Sequence, residues 1–200
     1  SEYTFSVDPG ATSFIAHLEK LIKAVNEGNF KGYPEFNGCD PIVIDNHLYK
    51  PLIFLNNSQV KISPVPLNEG ERRFIKDFKQ NYDENLDKFI GKEVYLLRNQ
   101  SKGRGISFFE AGNFYPDFIL WLIEGNKQFI SFIDPKGLRY VDGWEDPKIR
   151  FYQTIKERQK SLESKSEEVI LNSFIISVTP YNDLNWRGDH SKNEFEEHHV

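Results

Sequence analysis

Two short stretches carry the chemistry of this chain: Tyr115-Pro116-Asp117, and downstream of it Asp134-Pro135-Lys136-Gly137. Between them, Phe118-Ile119-Leu120-Trp121-Leu122-Ile123 and Phe129-Ile130-Ser131-Phe132-Ile133 read as two buried strands, joined by the polar turn Glu124-Gly125-Asn126-Lys127. A tight turn brings the far ends of its two strands together, so both acids are expected near one edge of a sheet. Hydrolysis of a phosphodiester needs an activated water and a positive charge against the leaving oxygen, and a hard divalent cation on oxygen ligands supplies both. Asp117 and Asp134 are the candidate ligands, because two carboxylates held close together repel unless a cation or proton lies between them. Lys136, two residues beyond Asp134 on an extended chain, shares its face and is the candidate for steering the water or meeting the phosphate.

A purely structural reading of the same residues stands beside this one. Asp134-Pro135-Lys136-Gly137 also fits a type I turn, with Asp first, Pro second and Gly fourth. Pro116-Asp117 equally fits the opening of a strand.

The run Asn113-Phe114-Tyr115-Pro116-Asp117-Phe118 to Asp134-Pro135-Lys136-Gly137-Leu138 resembles the motif of the PD-(D/E)xK nuclease superfamily. Within it, the chain is most similar to the C-terminal endonuclease domain of type III restriction subunits and related DEAD/DEAH-box helicase-nucleases. Pro64 to Glu71, Leu96 to Asn99 and Ser177 to Pro180 support the resemblance, which covers about residues 60 to 180. It implies an α/β fold with a restriction-endonuclease-like mixed sheet flanked by helices, dependence on Mg²⁺ with Mn²⁺ able to substitute, and cleavage of double-stranded DNA. It also implies an N-terminal helicase/ATPase domain in the parent chain and a methyltransferase or specificity subunit as partner. Pro135 departs from the pattern, standing where many members carry an aliphatic residue.

The same pattern adds an acid on the helix before the strands, and Glu71 holds that place. Asn68 and Glu71 also have the spacing of a capping box, in which the glutamate reaches back to the amide of the cap residue. Both roles are carried forward. The helix itself is expected from about 69 to 90, from the stripe Phe74, Phe78, Tyr82, Leu86 and Ile90.

The chain has 200 residues, 38% hydrophobic and 14% aromatic, enough for a core, and a net charge of −5. The charge is unevenly spread. Residues 61 to 160 hold 18 Lys/Arg against 15 Asp/Glu, so the candidate nuclease region is mildly basic. Within it, Arg98, Lys102 and Arg104 lie in a loop between strands at Val94 to Leu97 and Ile106 to Phe109, and phosphate contact is their functional reading. An ordinary solvated hairpin loop is the other. No run of about twenty apolar residues marks a membrane span, and no signal peptide is recognisable, so a cytoplasmic protein without membrane partners is expected. The single cysteine, Cys39, leaves no internal disulfide. Neither G-x-x-x-x-G-K-[ST] nor G-x-G-x-x-G occurs, so no nucleotide site is expected here. The absence of methionine reads as a fragment whose motor precedes it in the parent polypeptide.

Three regions follow. Residues 1 to 60 read as a helix, Thr12 to Asn26, capped by Thr12 and stopped by Gly28, then loop and two short strands, Ile42 to Ile44 and Leu52 to Leu55, forming a connector packed on the core. Residues 61 to 182 are the nuclease core, closing with a helix from Pro147 to about Ser161 and a strand from Val169 to Val178. Gln153 on that helix is a candidate neighbour of the active site. Residues 183 to 200 read as an acidic, disordered tail, in which His190, His198 and His199 lack metal-ligand spacing. Asn56 and Asn99 begin Asn-x-Ser triplets, which matter only in a secreted protein. The alternative to a nuclease is an inactive module of the same fold, serving as a DNA clamp or subunit-docking domain; an RNA nuclease differs only in substrate.

Overall fold

The computed structural model describes residues 3–47, 49–99, 105–108, 114–139, 141, 143–163, 168–184, 186 and 190–200. The chain divides into two compact units, Ser1–Glu84 and Asn85–Val200. The expected boundary near residue 60 moves to residue 84 because pairing crosses it: strand β1 (Thr4–Val7) pairs antiparallel with β4 (Val60–Ser63).

In the first unit, helix α1 runs Thr12–Asn26, with the expected bounds. Its cap position is Ala11, without a side-chain hydrogen bond, so Thr12 is the first helical residue rather than the cap. Phe14, Leu18 and Leu21 of α1 bury against Phe36, Cys39, Ile53 and Val60, each contributing roughly 1.5–3 kcal/mol if fully buried. Strands β2 (Cys39–Ile42) and β3 (Leu52–Leu55) pair with each other in a sheet of their own. Ahead of β2, Phe36 and Cys39 exchange two backbone hydrogen bonds across Asn37-Gly38, both at positive φ. That is the backbone of a type I′ turn, which Asn-Gly favours. A Cβ on Gly38 would meet the Asn56 carbonyl oxygen at 2.2 Å, so glycine is required by space as well as by φ. Helix α2 (Glu69–Glu84) starts at the capping box but stops before the expected 90. Leu86 and Ile90, which continue the apolar period, are exposed, and residues Leu86–Phe89 form a 3-10 turn instead. Periodicity alone therefore overran the helix.

The second unit is an α/β fold around a four-stranded mixed sheet in the order β5-β6-β7-β8, with β5 (Lys92–Arg98), β6 (Phe118–Glu124), β7 (Lys127–Lys136) and β8 (Val169–Ser177). The first three strands are antiparallel neighbours, and β8 lies parallel to β7 after the crossover helix α3 (Phe151–Glu163). Gly125 at positive φ opens the two-residue turn between Glu124 and Lys127, as the turn chemistry requires. Ile119, Phe132, Leu171 and Ile175 on one face of the sheet bury against Phe151 and Ile155 of α3. The helix starts four residues later than expected. Asp146 and Pro147 belong to the turn before it, where Asp146 Oδ1 accepts the Lys148 N–H at 2.8 Å.

The expected disordered tail is corrected. Ser191 and Glu194 form a reciprocal capping box for helix α4 (Lys192–Glu197), and Phe195 is buried. Trp144 collects Trp186, Phe195 and His198 around it at ring distances of 4.7, 4.8 and 4.3 Å. The Ile175 N–H donates to the His199 carbonyl at 2.9 Å, so the last residues satisfy part of the outer edge of β8. Among the described residues no helix is long and apolar enough to cross a membrane.

Candidate active site

The first pair of acids lies one residue beyond the last paired positions of the two central strands. Phe118 faces Ile133 in the β6–β7 register, so continuing that register by one residue sets Asp117 opposite Asp134. The continuation is supported on the other side, where the Asn99 N–H donates to the Asp117 carbonyl at 2.8 Å and extends the β5–β6 ladder past its last pair, Arg98 with Phe118. Residues directly opposite on antiparallel strands share a face, with Cβ atoms about 4.5–5.5 Å apart. Ile119 and Phe132 share the face that carries Asp134 and Lys136, the face turned to α3, and the continued register assigns Asp117 to the same face.

The tripeptide Asp134-Pro135-Lys136 is strand, not turn. It ends β7 and pairs with Ile175, Ile176 and Ser177 of β8. Pro135 is tolerated because β6 pairing ends at Ile133, so the missing N–H is not demanded on that side. Lys136 is fixed from behind: its carbonyl accepts the Val178 N–H at 3.0 Å, and the Leu138 N–H donates to Thr179 Oγ1 at 2.9 Å.

Asp134 is 6% exposed, and its Oδ2 has no hydrogen-bond partner among the described residues. Lys148 Nζ stands 4.0 Å away. That is the outer limit of an ion pair and beyond hydrogen-bonding reach, so charge is partly offset while the lone pairs stay unused. A buried carboxylate oxygen left in that state costs free energy. Burial pushes the Lys136 ammonium below its ordinary pKa, the neighbouring Lys148 pushes it further, and Asp134 and Asp146 oppose the shift. Asp134, Lys136 and Lys148 therefore lie together at this end of the sheet, and Asp146 acts on Lys136 through its charge.

Lys148 escaped the sequence reading, although a signal existed. Asp146-Pro147-Lys148 repeats the tripeptide Asp134-Pro135-Lys136. One copy ends a strand, the other forms a turn, and their lysines become neighbours.

The donor set fits a hard cation that keeps most of its water. Mg²⁺ is commonly held by one or two carboxylates with waters completing its octahedron, whereas a structural zinc site needs four protein ligands. Among the described residues no group of three or more His, Cys, Asp or Glu side chains gathers for a metal, and the pair Asp117 and Asp134 with one orphaned oxygen suits the first case.

Glu71 lies in the first unit, 5% exposed, and completes the capping box: Asn68 N–H donates to Glu71 Oε2 at 2.7 Å, and Glu71 N–H to Asn68 Oδ1 at 3.0 Å. Arg98, half-buried, faces Phe118 in the register and so takes the face of the sheet opposite to Asp117. Lys102 and Arg104 lie outside the described residues. Gln153 is exposed and donates to the Tyr152 hydroxyl at 3.0 Å. A polar cleft of about 610 Å³ in the first unit is lined by charges that already pair, among them Lys31 with Asp45 at 3.0 Å and Lys76 with Asp40 at 2.5 Å. It offers no comparable orphan.

Asn99 is the second residue that sequence reading missed. Its Nδ2 donates to the carbonyls of Ile106 and Pro116 at 2.7 and 2.9 Å, and its Oδ1 accepts the Ile106 N–H at 2.9 Å. It braces the base of the loop directly onto the segment that carries Asp117. Comparison with protein-family models, curated proteins and solved structures finds no match to this chain.

Proposed function

We propose that the second unit is a Mg²⁺-dependent endodeoxyribonuclease domain, the cleavage module of a type III restriction-like helicase-nuclease of the PD-(D/E)xK superfamily. The observation that carries this reading is the orphaned, buried Oδ2 of Asp134 at a strand end whose register also delivers Asp117 and Lys136. A bound Mg²⁺, for which Mn²⁺ can substitute, would lower the pKa of a water and offset charge on the phosphodiester. Asp117 and Asp134 would hold that cation. Lys136, on the same face two residues on, orients the water and sets its positive charge against the phosphate. The buried Ile119 and Phe132 keep bulk solvent from the inner side of the acids. In this reading the substrate is double-stranded DNA, the ATP-driven motor and a methyltransferase or specificity subunit are the partners, and the protein works in the cytoplasm.

A second reading is favoured by one observation. Lys148 stands within ion-pair distance of Asp134, the arrangement expected if a lysine had replaced the metal in an inert module that clamps DNA or docks a subunit. Titration calorimetry with Mg²⁺ and Mn²⁺ separates the two: the nuclease reading requires ion binding that disappears in Asp134→Ala and in Asp117→Ala. Absence of binding in the unaltered protein would exclude it.

A further inference from the structure

Lys148 has a better defined position than a solvated surface lysine. Its backbone N–H is held by Asp146 Oδ1, the Asp146 carbonyl accepts the Arg150 N–H at 3.0 Å, and the next residue, Ile149, is 2% exposed in the core of the unit. From this fixed root the side chain passes over Phe114, with Nζ 5.4 Å from the ring centroid, and ends beside Lys136 and 4.0 Å from Asp134 Oδ2. The side chain remains 37% exposed, so solvent reaches it. At 4.0 Å it donates no hydrogen bond to Asp134, which leaves its donors available at the mouth of the site. Two ammonium groups side by side on partly buried ground repel each other, and an incoming anion relieves that repulsion.

We propose that Lys148 is a substrate-contacting cation that receives the non-bridging oxygens of a DNA phosphate, leaving Lys136 to face the water. This rests on the phosphodiester reading of the same site. It divides the labour of the paired Asp-Pro-Lys tripeptides: the strand copy serves the reaction, and the turn copy seats the phosphate. A lysine that only neutralised Asp134 would affect folding and not binding.

The test is fluorescence anisotropy of a labelled DNA duplex over a salt series, with Ca²⁺ in place of Mg²⁺, for the unaltered protein, Lys148→Gln, Lys148→Met and Lys148→Arg. The methionine variant keeps the apolar stem over Phe114 if the glutamine variant does not fold. Loss of the charge is expected to weaken binding by about five- to tenfold and to lower the slope of log affinity against log salt by about one, the value of a single phosphate contact. Lys148→Arg is expected to keep both. Folded Lys148→Met with unchanged affinity and slope overturns the proposal, as does an unaltered protein that does not bind the duplex. A protein that binds through Lys148 yet never cuts with Mg²⁺ or Mn²⁺ supports the phosphate contact while sinking the nuclease reading.

Discussion

Asn99 holds Asp117 by the main chain: its backbone N–H donates to the Asp117 carbonyl at 2.8 Å, and its side chain donates to the Pro116 carbonyl next door at 2.9 Å. One residue thus links the end of β5, Ile106 and the segment that leads into β6. Asn99→Ala removes three side-chain hydrogen bonds, each worth about 0.5–1.5 kcal/mol net. The expected loss is about 1.5–4.5 kcal/mol in urea unfolding. Cleavage at a temperature where the variant stays folded is expected to fall by roughly tenfold, because a carboxylate displaced by about 1 Å loses its geometry. Unchanged cleavage would remove Asn99 from the list of positioning residues.

Glu71 separates into two measurable roles. As half of a capping box it satisfies the Asn68 N–H, so Glu71→Ala is expected to cost about 1 kcal/mol by thermal melting. Glu71→Gln keeps an oxygen acceptor and is expected to melt close to the unaltered protein. Loss of Mg²⁺-dependent cleavage in Glu71→Gln at undiminished stability is the signature of the metal role that the family resemblance gives this residue.

Cys39 is fully buried, and burial, aided by Asp40 and Glu35, raises its thiol from an ordinary 9.0 to about 12. The folded protein therefore resists forming the thiolate. The unfolded chain ionises first, so this contribution to stability is whole below about pH 9 and is lost progressively as pH rises toward 12. A thiol reagent at pH 8 is expected to label Cys39 only after denaturant is added; rapid labelling of the native protein would contradict the burial.

The C-terminal segment is structural. Removing residues 184 to 200 would strip Phe195 and Trp186 from Trp144 and free the Ile175 N–H on the edge of β8. The truncated protein is expected to melt several degrees lower and to aggregate more readily, both measurable by light scattering during a thermal ramp. Undiminished stability would return the segment to the status of a tail.

Local patterns made half of this site legible. Two apolar runs and the polar turn at Gly125-Asn126 located β6 and β7, and antiparallel pairing then made the approach of Asp117 to Asp134 a matter of register. The capping box of Asn68 and Glu71 was equally local. What escaped depends on tertiary contact. Lys148 comes from a turn beyond the strand, and nothing in the spacing says that two Asp-Pro-Lys copies fold back on each other. Asn99 braces through hydrogen bonds to residues 106 and 116, which no periodicity encodes. Phe195 lies among Glu194, Glu196 and Glu197, so charge masked a buried aromatic. Parity sets the face of Arg98: one residue along β5 exchanges the two faces of the sheet.

Cleavage of a supercoiled plasmid reads out whether Asp134 holds a cation for phosphodiester hydrolysis. The unaltered protein, with any partner it needs supplied, is expected to nick or linearise the plasmid with Mg²⁺ or Mn²⁺ and to stop when EDTA is added. Asp134→Ala is expected to bind DNA in Ca²⁺ as before and to leave the plasmid intact. Equal nicking by Asp134→Ala and the unaltered protein would contradict the account.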